Sequence, residues 1–398
     1  MPPTKYDPNS ELEQPVTLPS APQILLQSKS KIILQPPLSR RGHGPGLIVF
    51  LPDFQNTSLD EFKLTSKKLL DPEPVQKWAE EGFAVVGIYE NQEQNIQDTL
   101  QLAISALIEL DSVDIKDKFG VIIYDGERLP VVLEAIAKQQ HITCLVSYGT
   151  PCDLECPVPL LSHIPNTALV PATNNHQSYT RYTYPTSGRF FVLPQCEDYH
   201  AGSAGVSHSR SLVFLRKHIG GPHFDLEAIW DEHTYFEFEI RSVAKTMGTM
   251  MTGGIGRDNL TAFYRDHFIF SNPADTSIEP VSRTVGADRI IDEFIFSLTH
   301  DRIVDWLLPG VAPTGKKLSI PMMSVVNVRG DRLYHEHIWW DQAGALKQVG
   351  ILPSHLPHPL TGESTRLPIT GIEAARLLVD ETDGESNEML EESWGVNQ

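Results

Sequence analysis

From Lys31 to about residue 218 the chain alternates continuous apolar runs with amphipathic segments, and few folds satisfy that alternation. KIILQ reads as extended, and GLIVFLPD (46–53) as a buried strand that ends in a loop. VQKWAEEGFAVVGIYE gives a helix, a stop at Gly82 and a second buried strand. TLQLAISALIEL is an amphipathic helix, HITCLVSYG and NTALVPAT are further short apolar runs, and SRSLVFLRKHIGG closes a helix at Gly220. Strands apolar on both faces and separated by helices require a mostly parallel sheet covered on both sides. At 398 residues the chain exceeds one ordinary core, so a second domain is expected.

The texture changes after residue 221. FDLEAIWDEHTYFEFEI predicts a long helix from Asp225 to about Ile240, starting at an acidic cap, and RDNLTAFYRDHF predicts another. Three strand-like stretches follow: PVSRTVGADRIIDEFIFSLTHD, KKLSIPMMSVVNVRGD and RLYHEHIWWD. Helices followed by a meander of strands indicate an α+β domain, and Gly330 in Arg329-Gly330-Asp331 supplies the turn of the last hairpin.

With 51 acids against 32 bases the net charge is −19, which repels phosphate backbones and anionic lipid; nucleic acid and membrane surfaces are not expected partners. Seven of the acids lie in DETDGESNEMLEES (380–393), a segment expected to be solvated. No apolar run reaches the length of a membrane span, and the polar, proline-rich start lacks the hydrophobic stretch of a secretory signal. A cytoplasmic location is therefore expected, with Cys144, Cys152, Cys156 and Cys196 as reduced thiols. The three-residue gap between Cys152 and Cys156 matches no metal or redox pair.

FGVIIYDGERLPVVLEAIAK (119–138) spells strand, tight Asp125-Gly126 turn and helix, the arrangement that holds the nucleophile in α/β-hydrolases. With GLIVFLPDF, GFAVVGIY and VSYG in the same order, residues 30 to 220 resemble the dienelactone hydrolase family. That resemblance implies a Cys–His–Asp triad. Asp125 falls where the cysteine would sit, Asn174 and Asn175 where the acid would follow its strand, and Arg189 (in YPTSGRFF) where the histidine would. An arginine cannot serve as base, and an asparagine cannot stabilise an imidazolium as a carboxylate does. The domain is therefore expected to be degenerate, with Asp125 simply capping the next helix. The alternative is an esterase or lactonase that uses Asp125 with a displaced histidine, His200 or His176.

PTGKKLSIPMMSVVNVRGDRLYHEHIWWDQAGALKQVG resembles the end of SnoaL-like polyketide cyclase domains, through Pro313-Thr314-Gly315, Gly330, Trp340-Asp341 and Gln348-Val349-Gly350. The resemblance covers about residues 222 to 353. It implies a curved sheet wrapped around one deep pocket, used for aldol cyclisation, isomerisation or dehydration by acid–base chemistry without a cofactor. FDLEAIWDEHT, TGGIGRDNL and VDWLLPGVAPTG further resemble a set of proteins that fuse the two domain types. The expected layout is an extended segment 1–29, the α/β domain 30–220, the cone 222–360 and a C-terminal segment 361–398.

Strand alternation places His335, His337, Trp339 and Asp341 on one face and Glu336, Ile338 and Trp340 on the other. The first set offers imidazoles, an indole wall and a carboxylate, and is expected to face the pocket; the second is expected to face a partner or the first domain. The SnoaL-like catalytic carboxylate falls by resemblance at Asp341, followed by His337, His335 and His300 as acid–base candidates. Arg283, Asp292, Phe296 and Trp339 are the substrate-binding candidates, Arg283 as the group that would hold an enolate oxygen. Histidines at i and i+2 on a strand do not make a metal site without a third ligand, so no metal is expected. The expected protein is a cyclase, isomerase or dehydratase acting on a small hydrophobic carbonyl compound. A homodimer and a purely binding role remain open.

Overall fold

The computed structural model describes residues 5–28, 31–52, 70–89, 95–151, 154–167, 179–186, 188–251 and 256–384. Asn174, Asn175, His176 and Cys152 lie outside these residues.

The first domain is built on β1 (Ile24–Gln27), β2 (Ile32–Gln35), β3 (Gly46–Leu51), β4 (Ala84–Tyr89), β5 (Phe119–Ile123), β6 (Ile142–Tyr148), β7 (Leu160–Pro165) and β8 (Tyr179–Tyr184). They form one sheet in the order β1-β2-β4-β3-β5-β6-β7-β8. Only the β1–β2 and β2–β4 pairings are antiparallel. Helices α1 (Pro74–Glu80) and α4 (Ala201–Ile219) cover one face through Val75, Trp78, Leu212 and Leu215. The other face carries α2 (Ile96–Glu109) and α3 (Leu129–Ile136), through Leu100, Leu107, Val132 and Ile136. β3 and β5 are buried at every position, as central strands covered on both sides must be.

Of the expected run NTALVPAT, Asn166 and Thr167 form a turn and 168–173 lie outside the described residues. The preceding LLSHIP is the strand β7, which Ser162 and His163 hid among apolar neighbours. Both polar groups are satisfied within the sheet layer, Ser162 by Ser147 at 3.1 Å and His163 by Tyr184 and Ser211 at 2.8 and 2.9 Å. The segment before residue 30 is not merely extended. It adds the edge strand β1, and its residues 11–13 form a helical turn against the second domain. There Glu13 accepts hydrogen bonds from the backbone N–H groups of Val243 and Ala244 at 3.0 and 2.9 Å, and Ser242 Oγ donates to Leu12 O at 2.7 Å.

The second domain opens with α5 (Leu226–Thr234), capped by Asp225 as its sequence predicts, and continues in a wider π-helical turn, Tyr235–Ile240. Next come α6 (Val243–Gly248) and α7 (Arg257–Phe263), which widens in the same way over Tyr264–Phe268. Four antiparallel strands follow: β9 (Ser277–Val285), β10 (Arg289–Thr299), β11 (Lys317–Arg329) and β12 (Arg332–Trp340), in the order β12-β11-β10-β9. The first strand-like stretch is thus a hairpin of two strands, β9 and β10. Leu226, Ile229 and Trp230 of α5 pack with Val243 and Met247 of α6 on Ile290, Val326 and Leu333 of the sheet. Helix α8 (Gln342–Val349) closes the domain, and a short hairpin of β13 (His355–Pro357) and β14 (Ser364–Arg366) precedes α9 (Ile372–Val379).

The β11–β12 turn is the joint between the domains. Arg329 donates to Glu80 at 3.0 Å and to Asp71 at 2.7 Å, and Asp71 also accepts from Lys77 at 2.5 Å. Asp331 accepts from the backbone N–H groups of Arg40 and Arg41 at 2.9 and 3.1 Å. Gly330 has φ +60°, and a Cβ there would stand 2.2 Å from Glu80 O, so both conformation and space demand glycine.

Candidate functional site in the cone

Register across the four strands sorts the inward face into rows. Asp292 pairs with Arg283 on one side and Ser324 on the other, and Ser324 pairs with Ile338. Phe294, Met322 and Trp340 form the next row, while Ile290, Val326 and Glu336 form the row on the opposite side. With α5 and α7 and their widened ends, these rows enclose a cavity of about 510 Å³.

One end of that cavity is aromatic. Phe238 and Phe296 meet edge-on with ring centroids 6.0 Å apart, Trp306 lies 5.1 Å from Phe268 and 5.6 Å from Phe296, and Trp340 is 5.8 Å from Trp306. The indole N–H groups are already engaged: Trp306 donates to Asn272 at 3.0 Å, Trp340 to Gln342 at 2.5 Å and Trp230 to Asp292 at 2.7 Å. This end thus presents ring faces and edges to a ligand.

The polar groups gather in two clusters. Asp292 receives Trp230 Nε1 and a two-pronged contact from Arg283, at 2.6 and 2.8 Å, while Arg283 also donates to Asp231 at 2.9 Å. Three donors fix this carboxylate, which makes it an anchor for Arg283 and Trp230 more than a free base. In the second cluster His233, one helical turn before Glu237, lies 3.0 Å from the Glu237 carboxylate and 3.1 Å from Glu336 across the cavity wall. Its Nδ1 is 2.6 Å from Thr249 Oγ1, and Tyr264 OH is 3.4 Å from Nε2. Burial opposes a charge on His233, but the two carboxylates outweigh it and hold its pKa up at about 10, so the ring is an imidazolium at neutral pH. Burial pushes Glu237 up, His233 pulls it down, and the Glu336 charge adds to the upward push. His233 and Glu237 are thus coupled, each shifting the other's titration.

Between the clusters lies Ser324, fully buried, whose Oγ has no hydrogen-bond partner. A buried hydroxyl left without a partner is unfavourable unless something else supplies one.

The structure reverses the expected facing of β12. Glu336, Ile338 and Trp340 line the cavity, not His335, His337, Trp339 and Asp341. The cause is a bulge: Leu333 pairs with Val328 and His335 with Asn327, so Tyr334 is an extra residue that flips the phase of everything after it. Asp341 caps α8, accepting from Gly344 N at 2.8 Å. Trp339 is 52% exposed. His335 and His337, ring centroids 4.8 Å apart, turn towards a crevice between the domains that Asp71, His208 and Arg289 also line. His300 follows the end of β10 and is bonded at Nδ1 to Thr314 at 3.1 Å; it is not among the residues lining the cone. Arg283, Asp292 and Phe296 do line it. The sequence carried signals for what was missed: His233 and Glu237 at helical i,i+4 spacing, and Ser324 as the one polar residue among Ile320, Met322, Val326 and Val328 on the inward face of β11.

At the hydrolase-type elbow, Asp125 Oδ1 accepts from Glu127 N at 3.2 Å and caps the turn before α3. Burial raises its carboxyl pKa, with Arg189 opposing. Arg189 is paired with Glu127. His200 caps α4, its Nδ1 accepting from Ser203 N at 3.1 Å. Among the described residues no histidine is hydrogen-bonded to Asp125.

No family model matches the sequence, and no curated protein is similar to it. Solved structures similar in arrangement are of two kinds. TsrD from Streptomyces laurentii is 13% identical over 33% of this chain and 100% of its own, with a TM-score of 0.27. A candidate SnoaL-like polyketide cyclase from Jannaschia sp. CCS1 is 15% identical over 33% of this chain and 99% of its own, with a TM-score of 0.27. A dienelactone hydrolase from Anabaena variabilis is 12% identical over 51% of this chain and 100% of its own, with a TM-score of 0.33. These likenesses say nothing about chemistry. The sheets themselves define the class: an α/β domain with a large, mostly parallel mixed sheet, followed by an α+β domain with a separate four-stranded antiparallel sheet. Among the described residues no helix is long and apolar enough to cross a membrane.

Proposed function

We propose that the cone is the reacting site of a cofactor-independent acid–base enzyme, a cyclase, isomerase or dehydratase, acting on a small hydrophobic carbonyl compound. The observation that carries this is the His233 ring held between the Glu237 and Glu336 carboxylates at the wall of an aromatic cavity. The aromatic end takes the apolar body of the substrate and the Ser324 hydroxyl meets its oxygen. Glu336 removes a proton from the carbon next to the carbonyl, and the electron pair moves onto oxygen, where the Ser324 O–H donates to the forming enolate. Glu336, now carrying that proton, returns it to another carbon or to a departing hydroxide, while Glu237 holds His233 in place at 3.0 Å. His233 keeps the carboxylate pair from repelling itself apart. The hydrolase-like domain has no catalytic part in this scheme, since Asp125 and His200 are occupied as helix caps.

The test is hydrogen–deuterium exchange at the α-carbon of 1-tetralone in deuterated buffer, followed by mass spectrometry. Exchange faster than in buffer alone, and abolished by Glu336→Gln, is the expected result. Exchange no faster than buffer, or unaffected by that substitution, removes the proposal.

A further inference from the structure

A second cavity, of about 490 Å³, shares a wall with the first. Phe263, Tyr264, Glu336 and Ile338 line both. Beyond that junction it is walled on one side by Met247, Met250, Met251 and Leu260 and on the other by Leu70, Pro72 and Gln76, which belong to the α/β domain. The second cavity is therefore built by both domains.

Its polar groups are already committed. Arg257 donates from both terminal nitrogens to the backbone carbonyls of Met251 and Met247, at 2.9 and 2.7 Å. Glu80 accepts from Arg329 at 3.0 Å and from Gln76 at 2.8 Å. Burial, with the neighbouring His337 and arginines, pushes His335 down to about 4, so its ring is neutral. Apart from the neutral His335 ring and Glu336 at the junction, what remains to meet a ligand is mostly thioether and hydrocarbon, and methionines adapt to an irregular chain better than branched residues do. At the junction Ile338 and Phe263 are each 37% exposed, large apolar side chains that this chain leaves uncovered at the mouth shared by two apolar chambers. Beside them stand Glu336 and Tyr264, members of the His233 cluster.

We infer that the second cavity is a subsite for an apolar chain attached to the molecule that reacts in the cone, and that the α/β domain supplies its outer wall. The inference rests on the cone being the reacting site. It gives the hydrolase-like domain a binding role that needs no triad. It also makes the substrate longer than the cone alone would hold: a compact carbonyl-bearing head among Phe296, Trp306 and Trp340, and a tail passing Ile338 into the methionine-lined chamber.

The experiment uses the full-length protein and the 1-phenylalkanones from acetophenone to octanophenone, with affinities from equilibrium dialysis. In the wild-type protein affinity is expected to rise about fourfold per added methylene, the increment for burying one such group. Gln76→Trp, from the α/β domain, and Leu260→Trp, from α7, fill the second chamber. In either variant the rise is expected to stop within the first few carbons while acetophenone binds as in wild type. An unchanged rise in the variants, or a flat series in the wild-type protein with acetophenone bound, overturns the subsite and leaves the cone reading intact. If the wild-type protein binds none of these ketones, the cone reading fails and the subsite with it. Circular dichroism checks each variant's fold; should one fail to fold, the other and the wild-type slope decide.

Discussion

Arg329, the last residue of β11, donates from Nη1 to the Glu80 carboxylate at the end of α1 over 3.0 Å, and through this bond the cone is fastened to the α/β domain. The guanidinium is also paired with Asp71 and lies over the Tyr334 ring, 3.8 Å from its centroid. Both the charge and its partners are withdrawn from water, so each depends on the other.

Arg329→Leu therefore leaves Glu80 buried without its cation and Asp71 with Lys77 alone. It is expected to lower stability by about 3–5 kcal/mol, the usual cost of breaking one half of a buried pair, read from urea unfolding. Gly330→Ala is expected to destabilise by a separate route, through the clash with Glu80 O and the positive φ.

Glu336→Gln is expected to lower turnover by about 10²–10⁴-fold, the range for a lost general base, with the fold intact. Asp341→Asn, His337→Asn and Asp125→Ala are expected to leave turnover unchanged. Loss of turnover in Asp341→Asn with Glu336→Gln still active would restore the opposite face of β12 as the reacting one.

The pH dependence of stability follows from His233. Its pKa is raised from an ordinary 6.5 to about 10 in the folded protein, so protonation favours folding. That contribution is complete below about 6.5 and is lost as pH rises through about 10. The thermal midpoint is expected to fall across this alkaline window, and His233→Gln to flatten that part of the curve. A wild-type midpoint independent of pH there would show that the ring is neutral.

Ser324→Ala removes a buried hydroxyl that has no partner in the folded chain. Stability is expected to stay level or rise slightly, since nothing is left unpaired. Turnover is expected to fall, with kcat affected more than KM, because the hydrogen bond is made to a developing enolate. Unchanged kinetics would mean that the substrate oxygen lies elsewhere.

Much of this architecture was legible because periodicity reports burial. The apolar runs of β3, β4 and β5 and the cap at Asp225 need only local chemistry to be read. β12 shows where that stops. Its alternation was right residue by residue, yet one bulged residue, Tyr334, inverted which face looks inward, and a bulge is set by pairing with β11 more than by the strand itself. His233 was passed over for a related reason. A histidine on an amphipathic helix is unremarked until tertiary packing brings Glu336, 103 positions later in the chain, to within 3.1 Å of it. The elbow was readable because a cap is a local device, and Asp125 and Glu127 are two residues apart.

The contact between Glu13 and the start of α6 joins positions 230 and 231 apart in the chain. On a ribosome adding about 5–20 residues per second, the leading end waits on the order of ten seconds or longer for its seat to emerge, while the entire α/β sheet is made in between. Assembly of the cone is thus out of step with the order of synthesis. A version shortened at its front, or the rear half expressed alone, would lack the carboxylate that receives the first amides of α6.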